Sequence, residues 1–242
     1  MKTSFSGFNS SLLFLVLLLS TAFVVACDQE NNIIPVEDLP LSDEQAAQIV
    51  EASLVGEQQG LDAAIADITE VAVATTSCGT AIDSTYVFAR NTDRLTANYA
   101  VDLQWLPSCG PGGLVRDIVF SRTTDGTYST DRISSDDESA GNLTVDNITG
   151  GVNLNVSGSF SRTGTQKLMA RQQRTVNSNC GITLENLKVN KGTKRIESGQ
   201  AIFLLTGSSS GGRSFSVEGS IIFHGAGSAT VIINGNQYEV NR

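Results

Sequence analysis

The chain has 242 residues, a net charge of −9, a single histidine and four cysteines. A chain of this size can bury one substantial hydrophobic core. The acidic balance, and the absence of a basic stripe with interleaved aromatic residues, argue against nucleic-acid binding. One histidine excludes a histidine-rich zinc site, and the cysteines lack paired zinc-ligand spacing. We therefore predict no metal and no other cofactor.

The first element in the chain is a short apolar run near the N-terminus. Lys2 precedes Leu12–Leu19, which contains no charge and no turn-former, and Val24-Val25-Ala26 leads into Cys27. A run this short fits the core of a signal peptide, because crossing the hydrocarbon of a bilayer takes about 20 apolar residues. The alternative is an ordinary secretory signal that ends near a cysteine.

The small residue Ala26 immediately before Cys27 resembles the lipobox of bacterial lipoproteins. The resemblance implies that the Cys27 thiol becomes a diacylglyceryl thioether, that the signal is cut between Ala26 and Cys27, and that the new N-terminus is acylated as well. Two or more acyl chains anchor a protein stably, whereas one chain binds marginally. We thus predict a signal peptide over residues 1–26, lipid attachment at Cys27, and the membrane as a partner.

Residues 27–41 are predicted to form an acidic tether, because they are polar and because Pro35 and Pro40 disfavour helix. The acidic residues after Cys27 also resemble the export signal of Bacteroidota lipoproteins, which implies the outer face of the outer membrane. In enteric bacteria Asp28 at this position implies retention in the inner membrane instead. The sequence leaves both locations open, and we favour an outer-membrane, surface-exposed protein.

Residues 42–74 are predicted to form a short amphipathic helical arm. Ser42 and Gln45 have the spacing of a capping box. Apolar residues at spacings of three and four continue to Ala72, which is the pattern of a half-buried helix. Gly56 and Gly60 interrupt this pattern, so we expect either two helices or one bent helix.

Residues 75–242 are predicted to form an antiparallel β-domain, because the apolar period changes to two from Thr85 onward. The strongest strand patterns are 95–105, 152–160 and 215–223. Asn234-Gly235 is a preferred hairpin turn between 230–233 and 237–240. Weaker strands are expected near 115–121, 143–148, 182–189 and 201–206. The predicted fold class is therefore mainly β, an antiparallel meander or sandwich-like domain.

Three cysteines lie in this part of the chain, and an exported protein normally uses cysteine for disulfides. If Thr85–Ala89 pairs with Leu95–Trp105 across a turn at residues 92–93, opposed residue numbers sum to about 185. Cys78 then lies opposite position 107, and a bulge or a slightly longer turn would bring it to Cys109. Cys180 would be the free thiol. A Cys78–Cys180 disulfide is the rival pairing.

No catalytic constellation is visible, so we predict no catalytic residues. We expect His224 to be a hydrogen-bonded or exposed residue at a strand end, and no G-x-S-x-G motif supplies a serine for a triad. Asp136-Asp137-Glu138 is expected to be a solvated loop, with a calcium loop as the alternative. A carboxylate pair for glycoside hydrolysis stays open, because its members need to be close only in space.

The lipobox, acidic tether, capped helix and Gly/Ser-rich β-domain together resemble lipoproteins of the Bacteroidota, a resemblance that implies no particular activity. The predicted function is a lipid-anchored cell-envelope lipoprotein whose β-domain is non-enzymatic and either binds a ligand or serves structurally. An extracellular glycan or protein is the expected ligand. The alternative is a carbohydrate-active enzyme, or an accessory lipoprotein of polysaccharide utilisation.

Overall fold

The computed structural model describes residues 40–169 and 174–242. The predicted signal peptide, Cys27 and most of the predicted tether therefore lie outside the described residues. The described residues belong to one compact unit of the chain. This unit contains every helix and strand described below.

Within the described residues, ten strands form one antiparallel sheet in which each strand pairs with its neighbours in the chain. Consecutive strands pair because short turns join them, which confirms a mainly β, antiparallel meander. The strands are β1 (Ile82–Asn91), β2 (Leu95–Cys109), β3 (Val115–Thr130), β4 (Ile133–Asp146), β5 (Asn153–Leu168), β6 (Arg174–Asn190), β7 (Arg195–Ser209), β8 (Ser214–Gly225), β9 (Ser228–Ile233) and β10 (Asn236–Asn241).

The helical arm consists of two helices, α1 (Asp43–Leu54) and α2 (Leu61–Ala74), separated by a 3₁₀ turn at Gly56–Gln58. The predicted capping box is present, since the Gln45 backbone N–H donates to Ser42 Oγ and the Ser42 N–H donates to Gln45 Oε1, each at 3.2 Å. Gly60 allows α2 to start close to the end of α1. A Cβ at residue 60 would lie 2.6 Å from the Ser53 carbonyl oxygen.

The two helices cover one face of the sheet, which we call the inner face. Side chains alternate between the inner and outer faces along each strand, so that residues 95, 97, 99, 101 and 103 of β2 are buried and those between them are exposed. Helix α1 contacts β5, β6, β9 and β10, and α2 contacts β3, β4 and β7. The core therefore lies between the inner face and the helical arm.

Cys78 and Cys109 form a disulfide, with their Cα atoms 5.5 Å apart. The strand register explains this pairing. Ile82 lies opposite Trp105, so opposed residue numbers in β1 and β2 sum to 187, as do 78 and 109. The slightly longer turn that we allowed for is present, and the predicted disulfide is confirmed. Cys180 is a free and buried thiol.

Candidate functional site: a groove between β1 and α2

Strand β1 differs from the other described strands because none of its residues is buried. Tyr86 and Phe88 lie opposite Val101 and Tyr99 of β2, which are both buried. Tyr86 is nevertheless 38 % exposed, and Phe88 is only half-buried. The helical arm therefore leaves the inner face of β1 uncovered.

The uncovered face forms one wall of a groove of about 760 Å³, which we call the β1–α2 groove. Its second wall is the helical arm between Val55 and Asp67. The β6–β7 turn near Lys194 and residues 241 and 242 also line it. A partly apolar groove of this size, with a few convergent polar groups, has the character of a binding site.

Asp67 is the central polar group of the groove. Its Oδ2 accepts hydrogen bonds from Tyr86 Oη at 2.6 Å and from Arg122 Nε at 2.8 Å. The Arg122 side chain is 2 % exposed, and its Nη2 donates to Gln59 Oε1 at 2.5 Å. Burial and the hydrogen bond to Asp67 raise the pKa of Tyr86 to about 12, so Tyr86 is protonated at neutral pH. These contacts fix the position of Tyr86 at the groove wall.

Two further ion pairs border the groove. Arg242 Nη1 donates to Asp62 Oδ1, and the Arg242 guanidinium lies 4.8 Å from the centre of the Phe223 ring. Arg90 Nη1 lies 2.8 Å from Glu57 Oε1, in an exposed pair that contributes little to stability. The charged residues that line the groove include both signs, so the groove presents mixed charge to a ligand.

Asp62 is the most strongly perturbed carboxylate of the groove. Burial raises its pKa to about 6, and the Arg242 guanidinium offsets part of that rise. A carboxyl group that titrates near neutral pH inside a groove is a recurrent feature of functional sites. Asp62 therefore marks this groove as the leading candidate site within the described residues.

We expect the Asp62 carboxyl to titrate near pH 6, as measured by NMR of carboxyl-labelled protein. The folded-state pKa lies above the ordinary value of 3.8. The contribution of this carboxyl to stability is therefore full below about pH 4, and it is lost as the pH rises through about 6. Arg242→Gln should raise the pKa further, because it removes the opposing charge. Asp62→Asn is the control, because it should remove the titrating NMR signal. An Asp62 carboxyl that titrates near pH 4 would contradict the prediction.

The structure places the other predicted residues away from this groove. His224 is an exposed residue in the last part of β8, with Nε2 2.7 Å from Thr230 Oγ1, as expected of a strand-end histidine. Asp136-Asp137-Glu138 does not form a loop, so the loop prediction is wrong. These residues belong to β4, where Asp136 and Glu138 are exposed and Asp137 is buried. The strand was missed because its inner-face residues at this point, Ser135, Asp137 and Ser139, are polar and give no apolar period of two.

A buried ionic cluster on the inner face was also missed. Arg162 of β5 donates to both carboxylate oxygens of Asp137, from Nε and Nη2, each at 2.9 Å. Arg162 follows the buried Phe160 by two residues, so the period of two does place it on the inner face. Nothing local in the sequence identifies its partner, because Asp137 lies on a different strand.

Among residues 40–169 and 174–242, no group of three or more His, Cys, Asp or Glu side chains is arranged to hold a metal ion. No helix in the same part of the chain is long and apolar enough to cross a membrane. No protein-family model matches the chain, and comparisons with curated proteins and with solved structures find no match.

Proposed function

We propose that this protein is a lipid-anchored cell-envelope lipoprotein whose β-domain binds a ligand without catalysis, in the β1–α2 groove. The lipid anchor is inferred from the N-terminal sequence, in which Lys2 is followed by the apolar run Leu12–Leu19 and then by the lipobox-like Ala26-Cys27. Support for a binding role comes from the groove, where Asp67, Asp62 and Glu57 each form an ion pair with an arginine. Carboxylates held by arginines in this way offer fixed polar groups to a ligand, which suits recognition of an extracellular glycan or protein.

The chain between the proposed anchor and the domain has enough reach for this arrangement. The Pro40 carbonyl oxygen accepts from Arg174 Nη1 at 3.3 Å, which connects the first described residues to the start of β6. Residues 28–39, twelve in all, separate Cys27 from Pro40. Twelve extended residues span at most about 40 Å. The domain would thus stay close to the membrane. Our proposed location is the outer membrane, with the domain exposed at the cell surface.

Cys27→Ser is expected to abolish incorporation of radioactive palmitate and to release the protein from the membrane fraction, or to leave the precursor uncut. The physical reason is the loss of all the acyl chains, each of which contributes about 0.8 kcal/mol per buried CH₂. Cys180→Ala serves as a matched control, because the Cys180 side chain is buried in the sheet and should leave labelling unchanged. Undiminished labelling of Cys27→Ser would contradict the lipid anchor.

Surface exposure is tested separately, because protease added to intact cells should then degrade the β-domain. Complete resistance of the β-domain to that protease would contradict surface exposure.

A second candidate function is a carbohydrate-active lipoprotein that hydrolyses glycosidic bonds with carboxyl groups. The raised pKa of Asp62 favours it, because a general acid must hold its proton near neutral pH. Release of reducing ends from polysaccharides separates the two candidates. Activity that is lost in Asp62→Asn would establish the enzyme, whereas glycan or protein binding without release of reducing ends would establish the binding module.

A further inference from the structure

Among the described residues, strand β1 pairs only with β2, so it is an edge strand of the sheet. All ten of its residues pair with β2 without a bulge, and the strand contains no proline and no lysine. Exposed edges in natural sheets are normally blocked by such residues, by bulges, or by a covering segment. Nine of the ten residues are exposed, and only Phe88 is half-buried. The opposite edge strand, β10, has only six residues.

The turn that follows β1 shows which of its backbone groups point outward. The Thr92 N–H donates to the Leu95 carbonyl oxygen at 2.8 Å, so residues 92 and 95 are a hydrogen-bonded pair. Such pairs alternate along an antiparallel ladder, so the even-numbered residues of β1 bond to β2. The odd-numbered residues therefore direct their N–H and C=O groups to the free edge. Their side chains lie on the outer face, where Val87 is 71 % exposed.

We propose that β1 pairs antiparallel with β1 of a second copy of this chain, about a twofold axis at Val87. Two ten-stranded sheets would then become one continuous sheet. This inference goes beyond the proposed binding function and does not depend on the lipid anchor. Opposed residues in such a pair must both be odd or both be even, which limits the possible registers.

The register centred on Val87 is self-complementary. On the outer face Val87 meets Val87 of the second copy, and Thr85 meets Ala89, so the most exposed apolar side chain of β1 becomes covered. On the inner face Tyr86 meets Phe88, an aromatic cross-strand pair of the kind that stabilises sheets. Ser84 lies opposite Arg90, and no two like charges are opposed.

The neighbouring registers are poorer. An axis at Phe88 would set Val87 opposite Ala89 and Tyr86 opposite Arg90, so it would lose both the Val87–Val87 pair and the Tyr86–Phe88 pair. An axis at Tyr86 would set the charged Arg90 opposite the apolar Ile82. The Val87 register also extends the β1–α2 groove, because Tyr86 and Phe88 of the second copy continue the groove wall beside Phe88 and Tyr86 of the first.

Cysteine cross-linking of the full-length protein in detergent tests the register. Val87→Cys should form a disulfide-linked dimer under mild oxidation, because a hydrogen-bonded pair places the two Cα atoms about 5.5 Å apart. Ala89→Cys alone should form no disulfide-linked dimer, since the two cysteines would lie four residues apart along the strands, about 13 Å. A mixture of Thr85→Cys and Ala89→Cys proteins should cross-link. The wild-type chain measures the background from its native cysteines.

Sedimentation measures whether the dimer exists without cross-linking. The wild-type protein should sediment as a concentration-dependent dimer, and Val87→Lys should weaken dimerisation by about tenfold or more, because two positive charges would be directly opposed. Val119→Lys is the matched control: Val119 is 50 % exposed on the outer face of β3, which already has a partner on both sides. Circular dichroism should show both variants folded.

Three results would overturn the proposal. The first is a wild-type protein that remains monomeric at all concentrations. The second is a dimer that Val87→Lys and Val119→Lys weaken equally. The third is cross-linking of Ala89→Cys as efficient as that of Val87→Cys, which would mean that the two strands pair in another register or not at all.

Discussion

Asp137→Asn is expected to lower the free energy of unfolding by about 3–5 kcal/mol, because it removes the charge partner of a buried arginine. The Arg162 side chain is 3 % exposed and that of Asp137 is 1 % exposed. Arg162 also donates to the Tyr99 hydroxyl at 2.7 Å and to the Ala52 carbonyl oxygen at 2.6 Å. With asparagine at residue 137, the guanidinium would keep its cost of desolvation without an opposing charge.

This cluster joins parts of the fold that are distant in sequence. Asp137 lies on β4, Arg162 on β5, Tyr99 on β2 and Ala52 near the end of α1. The guanidinium carbon of Arg162 also lies 4.9 Å from the centre of the Tyr128 ring on β3. The cluster therefore holds α1 in a defined position on the inner face, and its loss should loosen the helical arm.

Urea unfolding followed by circular dichroism measures the effect. Asp136→Asn is the matched control, since Asp136 is the exposed neighbour on the outer face and its substitution should change stability by less than about 0.5 kcal/mol. The double substitution Asp137→Leu with Arg162→Met should cost less than Asp137→Asn alone, because it removes both buried charges. If the free energy of unfolding of Asp137→Asn lies within 1 kcal/mol of the wild-type value, the Asp137–Arg162 pair does not stabilise the fold as argued.

Removal of the disulfide by Cys78→Ser with Cys109→Ser is expected to cost about 3–4 kcal/mol. The two cysteines are 31 residues apart in sequence, and the cross-link restricts the unfolded chain over that loop. Cys78 precedes β1 and Cys109 ends β2, so the bond also holds the start of the edge strand beside its only partner within the described residues.

Reduction of the wild-type protein provides an independent measurement of the same effect. Reductant should lower the wild-type midpoint of urea unfolding to that of the double serine variant, and it should leave the variant unchanged. A wild-type midpoint that does not respond to complete reduction would contradict a stabilising role for this bond. Cys180 is a buried free thiol in both the wild type and the variant, so it does not affect the comparison of their midpoints.

Much of the fold is predictable from local patterns in the sequence. The capping box needs only Ser42 and Gln45, and the period of two along residues 95–105 needs only the alternation of a single strand. The disulfide was predictable for a related reason. Once a short turn joins β1 to β2, the register follows, and Cys78 comes to lie beside Cys109.

Strand β4 shows where local patterns fail. In its first half, residues 133–140, every second residue is buried, but after Ile133 the buried residues are polar: Ser135, Asp137 and Ser139. A strand whose inner-face residues are polar has no hydrophobic alternation, so the sequence suggested a solvated loop there. Burial of Asp137 is possible because Arg162 of the neighbouring strand neutralises it.

The sequence by itself determined the strand alternation, the helix start at Ser42, the pairing of neighbouring strands and the lipobox that leads to our proposed anchor. Each of these depends on residues a few positions apart, or on one short turn. The tertiary structure alone decided that Asp67 meets Arg122 and Tyr86, and that the helical arm leaves the inner face of β1 open as a groove. Asp67 and Arg122 are 55 residues apart, and their contact depends on where α2 packs on the sheet. That placement results from the shape of the whole core, which no local pattern encodes.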